Sequence, residues 1–423
     1  VRLLGDVIRI NAQRYPGKKA LIMGDESLTY YELNEQVNRV ANALRSLGIV
    51  PGDRIVILAP NCLEYVSIVY AVLKCGGICV PANSRYKASE LAYVVNNAKP
   101  KLLFYSSDLN PLEVESRPEF VLPVQSIAIS GEAGESSLIL RNMMEHEPTT
   151  EPAIELDPSQ SAFIMYTSGT TGFPKGVLFS HLSYLTVAAG MIYEGDLRHN
   201  DIMMVNMPIF HNAGINAMIL PTLMVAGTCL ITSGSFDPHI ILSMVSQYGV
   251  TATMWVPTML ARLINHPDVL SYDTTSLKKI WYGSSAISPT VLEAAQKVFK
   301  AGFYQWYGQT ETGMVSVLRP EDHAERSQYT GRAIYNAEIR IVDEDGKDSP
   351  VGEVGEIITA QKPLGMKGYY DQEEATKRAI KNGWVHTEDL ARVEEGGYFT
   401  VVDRLRDMII SGAENIYPKE IED

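Results

Sequence analysis

The chain has 423 residues, 46% apolar and 20% charged, with 36 basic against 50 acidic side chains and a formal charge of −14. At about 150 residues per domain this makes two or three folding units with ample core, which excludes disorder as the main state. The acidic excess argues against nucleic acid as the main partner, because phosphate backbones need clustered Lys and Arg.

Cys62, Cys75, Cys79 and Cys229 are too few and too scattered for a disulfide framework, so a cytoplasmic location is expected. The chain opens at Val1 without a basic-then-apolar leader, so no signal peptide is expected. Thr29 and Glu32 have capping-box spacing. They open a helix whose Leu33, Val37, Val40, Ala41, Leu44 and Leu47 share one face. Residues 53–60 read as a buried strand, about 62–74 as a helix, and 78–81 as the next strand after Gly76 and Gly77. Alternating strands and helices predict βαβ units in a largely parallel sheet. Stretches 106–118 and 130–160 read as surface loops, with 151–161 as a linker.

Asp201 to Pro208 echoes Asp53 to Pro60, and each run leads through an apolar stretch to a glycine before the next strand. Two similar α/β halves explain the echo economically. The longest uncharged stretch, 211–236, is interrupted by Asn212, Asn216, Pro221 and Gly227 and lacks a basic flank. It predicts buried core, not a membrane span. After about residue 330 the texture becomes alternating and turn-rich, predicting a smaller antiparallel β unit up to Val402.

Three clusters carry chemistry. The run Tyr166-Thr-Ser-Gly-Thr-Thr-Gly-Phe-Pro-Lys-Gly176 follows an apolar strand pattern and precedes a helical pattern from about Leu182. Its glycines let backbone N–H groups approach phosphate, and Lys175 adds a point charge. The spacing is not that of a Walker A loop. Tyr307-Gly-Gln-Thr-Glu-Thr312 joins an aromatic, a hydroxyl and a carboxylate, a set that can stack a base, touch phosphate and hold Mg2+. The third cluster comprises Trp384-Val-His-Thr-Glu-Asp389, Asp403-Arg-Leu-Arg-Asp407 and Ile410-Ser-Gly-Ala-Glu-Asn415. Its Asp389 carboxylate can accept both hydroxyls of a ribose.

In this order the clusters resemble the adenylate-forming superfamily of acyl-CoA synthetases, coumarate–CoA ligases, luciferases and peptide-synthetase adenylation domains. The resemblance runs along essentially the whole chain. It implies an α/β fold: a large N-terminal domain of two similar α/β subdomains plus a smaller β-barrel subdomain, then a hinge and a mobile C-terminal lid. Mapped on this chain, residues 1–403 form the adenylation domain, about 1–160 and 161–330 being α/β and about 331–403 β-rich. Residues 404–423 are the hinge and the start of the lid.

The resemblance also implies roles. Thr167, Ser168, Gly169, Thr170, Thr171, Gly172 and Lys175 hold the ATP phosphates. Gly283, Ser284, Ser285 and Ala286 border adenine, and Tyr307 stacks on it. Thr310 meets the α-phosphate, Glu311 binds Mg2+, and Asp389 with Arg404 holds the ribose. Lys175, Thr310, Glu311 and His211 form the catalytic set. His211, Asn212, Gly214, Ile215, Met218, Trp255, Tyr282 and Met314 line the acid pocket. Arg406 is the hinge, while Gly412 and Ala413 border the CoA channel.

The implied activity is AMP-forming ligation of a fatty or aryl carboxylic acid to CoA. Asn212 stands where the peptide-synthetase branch has an aspartate, which disfavours an α-amino acid substrate. Partners are thus a small-molecule carboxylic acid, ATP and CoA; no transmembrane segment is expected, and a homodimer stays open. Loading of a carrier-protein phosphopantetheine and a catalytically silent nucleotide-binding module are the alternatives. Two departures stand out in the motifs: Glu388 and Ala413 each replace a glycine. The lid lysine of the family has no counterpart, Lys419 not matching it, so slow adenylation by this chain is expected.

Overall fold

The computed structural model describes residues 2–131, 138–167 and 174–405, with the backbone alone of 409–411 and 414–416. The described chain divides into two compact units. The first comprises Val1–Ala188, Leu197–Phe236 and Lys367–Glu373; the second comprises Ala189–Asp196, Asp237–Met366 and Glu374–Asp423.

In the first unit the predicted βαβ pattern is present. Strands Arg54–Leu58 and Ile78–Ala82 pair in parallel around the helix Leu63–Lys74. Leu102–Tyr105 joins the other side of Arg54–Leu58, also in parallel. These strands are central in an eight-stranded sheet, so Ile55, Val56, Ile57 and Leu58 are all fully buried. Burying side chains of this size contributes about 1.5–3 kcal/mol each. At one edge the sheet turns antiparallel, where Ser161–Thr167 pairs with Lys175–Ser180, which pairs with Gly368–Tyr369.

The helix Tyr30–Ser46 starts at a complete capping box, with Glu32 N–H donating to Thr29 Oγ1 and Thr29 N–H to Glu32 Oε2. Its Asn34, Asn38 and Asn42 share a face at four-residue spacing and hold residues 148–151, within the stretch expected to be a surface loop. Asn38 donates to the Thr149 carbonyl, Asn42 to those of Pro148 and Thr150, and Asn34 to Glu151. Buried Lys74 sits 2.7 Å from Glu151 in the same network. The expected loop at 106–118 contains the helix Asn110–Ser116, anchored by buried Glu113 on Arg117 and Ser126.

The sequence echo is a structural one. Asp53 and Asp201 each accept the N–H three residues upstream, from Val50 and Arg198, and each main-chain carbonyl accepts the first N–H of the next strand, Ile78 or Thr228. Strands Ile202–Val205 and Thr228–Ile231 pair in parallel, as their counterparts do. The uncharged stretch forms a π-helical segment Ala213–Ile219, the helix Leu220–Met224 and a strand, because Pro221 and Gly227 punctuate it. No helix among the described residues is long and apolar enough to cross a membrane.

In the second unit Ala252–Trp255, Lys279–Gly283 and Gly302–Gln309 run in parallel, with helices Pro257–Ile264 and Pro289–Phe299 between them. The sheet then becomes antiparallel through Gly313–Leu318, Gly331–Ala333, Tyr398–Arg404, Trp384–Val393, Val354–Ala360 and Ile339–Val342. The antiparallel texture therefore begins with the hairpin at 309–313, before the expected residue 330.

Candidate active site

The phosphate-loop residues that are described belong to the first unit. Thr167 ends one strand and pairs with Lys175 at the start of the next, so the loop closes an antiparallel hairpin. The strand Lys175–Ser180, which the sequence did not reveal, separates it from the helix His181–Glu194, expected from about Leu182. Gly176 must be glycine: a Cβ there would lie 2.6 Å from Ile164 Cγ2. Lys175 Nζ lies 5.1 Å from the centre of the Tyr369 ring, an aromatic contact that sequence reading missed. Ser168, Gly169, Thr170, Thr171 and Gly172 lie outside the described residues.

The same unit holds His211 and its neighbours. His211 is solvent-exposed by area yet enclosed by enough protein for desolvation to lower its imidazole pKa. Its Nδ1 accepts the Ala213 N–H at 3.3 Å. Asn212 Oδ1 accepts from Tyr184 Oη at 3.0 Å and Asn216 Nδ2 at 2.9 Å. Tyr184 is itself fixed, stacked on Phe179 at 4.6 Å and edge-on to Phe163. Gly214 is required because a Cβ would sit 2.2 Å from the Pro208 carbonyl oxygen. Ile215 and Met218 are buried. Asn61, another residue sequence reading passed over, clamps the approach to His211 by bonding Met207 O, Thr232 O and Ile209 N.

The second unit gathers a denser cluster. Asp389, 6% exposed, accepts from Tyr307 Oη at 2.8 Å and Gln309 Nε2 at 2.7 Å on Oδ2, while Arg404 Nε approaches Oδ1 at 3.4 Å. Burial, then the Asp389 carboxylate beside it, pushes the Tyr307 phenol pKa up, so the hydroxyl stays a donor. The Tyr307 ring packs edge-on to Phe399 over a small core that includes Ile357 and Ala391. Register explains the gathering: Asp389 lies directly opposite Arg404, and Tyr307 precedes a bulge at Gly308. A Cβ on Gly308 would lie 2.0 Å from the Gly313 carbonyl oxygen.

Thr310 and Glu311 occupy the turn after that bulge. The Gln309 N–H donates to Thr312 Oγ1, and Met366 N–H donates to the Glu311 carbonyl. No group of three or more metal-ligating side chains occurs among the described residues. One carboxylate suits Mg2+ that takes its remaining ligands from substrate phosphates and water, so Glu311 fits that ion.

Gly283 ends a buried strand, where a Cβ would lie 2.2 Å from the Trp306 carbonyl oxygen. Ser284, with φ +70°, Ser285 and Ala286 follow as an exposed segment. Met314 is half-buried opposite Gly308. Trp255 and Tyr282, expected in the acid pocket, are fully buried; Trp255 packs on Phe299, and Tyr282 Oη donates to Gln305 Oε1 at 2.9 Å. Arg406, Gly412 and Ala413 lie outside the described residues. Gln309 and Thr387 sit inside motifs the sequence displayed, but only the fold reveals that both hold Asp389.

The AMP-binding enzyme family matches residues 8–370. Feruloyl-CoA synthase of Amycolatopsis sp is 35% identical over 414 residues, covering 97% of this chain and 80% of its own length. The fatty acid–[acyl-carrier-protein] ligase ScoC of Streptomyces coeruleorubidus is 32% identical over 420 residues, covering 97% and 79%. The crystal structure of ATP-bound MatB from Rhodopseudomonas palustris superposes with a TM-score of 0.89 at 27% identity, covering all of this chain and 82% of that one.

Proposed function

The chain belongs to the AMP-binding enzyme family, and from that premise we propose that it ligates a fatty or aryl carboxylic acid to CoA through an acyl-adenylate. The observation that carries the reading is the Asp389 cluster: a nearly buried carboxylate held by Tyr307 and Gln309 beside Arg404. A carboxylate so fixed accepts two ribose hydroxyls without reorganising. The 35% identity to the feruloyl-CoA synthase over 97% of this chain and the ATP in the MatB structure support the same assignment.

In the first half-reaction the substrate carboxylate oxygen attacks the α-phosphorus. The bond to pyrophosphate breaks, leaving acyl-AMP. Thr167, the Gly/Thr run after it and Lys175 hold the departing phosphates, and Thr310 holds the α-phosphate. Bound at Glu311, Mg2+ supplies charge neutralisation on the phosphate oxygens. In the second half the CoA thiolate attacks the acyl carbon, and AMP leaves with the bridging oxygen. His211, held neutral by its surroundings, and Asn212 border the acid. Catalysis on this account rests on orientation and electrostatics.

A second reading is favoured by the carrier-protein ligase among the relatives: transfer to a phosphopantetheine carried by a protein. Pyrophosphate release with a panel of fatty and aryl acids, with CoA, holo-carrier or neither, tests both. Acid-dependent release with CoA thioester formed supports the first reading, and carrier-only thioester the second. No release with any acid contradicts both and leaves a nucleotide-binding module.

A further inference from the structure

The strands Val354–Ala360 and Trp384–Val393 pair with an irregularity beside Asp389. Glu356 lies opposite Leu390 and Ile358 opposite His386, so one residue, Ile357, faces three: Thr387, Glu388 and Asp389. Such a bulge must satisfy its own backbone groups. Thr387 Oγ1 donates to Ile357 O at 2.7 Å and accepts Asp389 N–H at 3.1 Å. Leu405 N–H donates to Glu388 O at 2.8 Å.

The Glu388 N–H is met by a side chain instead, Glu356 Oε1 at 3.1 Å. The other oxygen of that carboxylate, Oε2, lies 2.7 Å from His386 Nδ1. Glu356 and His386 side chains are 18% and 19% exposed, so the contact is largely shielded from water. Glu388 itself has φ +59°, a left-handed conformation costly to a residue with a Cβ. A strained residue persists only where its surroundings hold it, and here the strained residue immediately precedes Asp389.

We propose that Glu356 is a positioning residue for the nucleotide: its carboxylate pins the left-handed Glu388 and thereby aims the Asp389 carboxylate at the ribose hydroxyls. The inference rests on the ribose role given to Asp389 above. The 387–388 peptide is held at both ends, its carbonyl accepting Gln309 Nε2 at 2.9 Å and its N–H donating to Glu356. Loss of the Glu356 acceptor removes one of these holds, so the peptide can tilt to relieve the strain and Asp389 turns with it. A glycine at 388 carries no strain, so it makes the clamp dispensable.

The test compares affinities of the full 423-residue chain for AMP and for 2′,3′-dideoxy-AMP, with thermal melting to establish that each variant is folded. Two charge-assisted hydrogen bonds to the diol predict that wild type prefers AMP by roughly tenfold or more. Glu356→Ala lowers that preference at least about threefold, mostly by weakening AMP, because only the diol contacts depend on the aim of Asp389. Glu356→Gln keeps an oxygen for the Glu388 N–H and retains most of the preference. Adding Glu388→Gly to Glu356→Ala restores it. Equal weakening of both nucleotides by Glu356→Ala, or an unchanged preference, overturns the inference while leaving the Asp389 reading intact. A wild-type chain that binds both nucleotides equally overturns that reading, and the inference with it.

Discussion

At the scale of single residues, motif positions could be picked out by their side-chain chemistry, whereas the groups that the fold brings against them could not. Asp389 could be singled out as a ribose acceptor from its motif. That Tyr307 and Gln309 spend their donors on it depends on strand register across about 80 residues of chain. Asp389→Asn removes the anionic acceptor and should weaken AMP by about 1.5–3 kcal/mol, roughly ten- to hundredfold by titration calorimetry. An unchanged affinity would remove Asp389 from the nucleotide site. Glu388 was readable as a departure from glycine, and its positive φ gives that departure a cost. Glu388→Gly should therefore raise stability by about 0.5–1 kcal/mol in denaturant titration. A destabilised variant would mean that contacts of the glutamate side chain outweigh the strain.

At the scale of elements, the capping box, the parallel strands and the Asp53/Asp201 echo followed from local patterns, since caps and buried βαβ units are written in neighbouring residues. The strand Lys175–Ser180 escaped notice because its pairing partner, not its own periodicity, decides its conformation. The asparagine ladder on Tyr30–Ser46 was equally silent: amides at four-residue spacing look like a solvated face until the 148–151 segment docks on them. Helix His181–Glu194 begins with a residue that should contribute to the acid response. Leu4 N–H donates to His181 Nδ1, and burial lowers that imidazole from 6.5 to about 4. The native state then binds fewer protons than the unfolded chain between these values. Stability is full above pH 6.5 and falls as the pH drops toward 4, by up to about 3 kcal/mol at 1.36 kcal/mol per pKa unit. His181→Asn keeps an acceptor for Leu4 and should flatten that acid slope in urea melts at stepped pH. An identical slope in wild type and variant would assign the acid sensitivity to other groups.

At the scale of the whole molecule, the family match and the α/β fold agree with the class read from composition and alternation. The −14 charge repels anionic nucleotides at long range, so on the proposed reading their capture depends on short-range groups such as Lys175. Lys175→Met should weaken ATP far more than AMP, because the lysine is assigned to the phosphates that AMP lacks; equal losses for both would move Lys175 away from them. The relatives named above extend beyond the aligned region, this chain covering about four fifths of each.

The central claim is that the acid carboxylate itself bonds to the α-phosphorus. Heavy-oxygen-labelled carboxylic acid, supplied with ATP and CoA, tests it directly by mass spectrometry of the products. Every AMP formed together with a thioester should carry one labelled oxygen, the one that bridged acyl group and phosphorus. Thioester formed alongside unlabelled AMP, or label appearing in phosphate or pyrophosphate, would contradict the acyl-adenylate route.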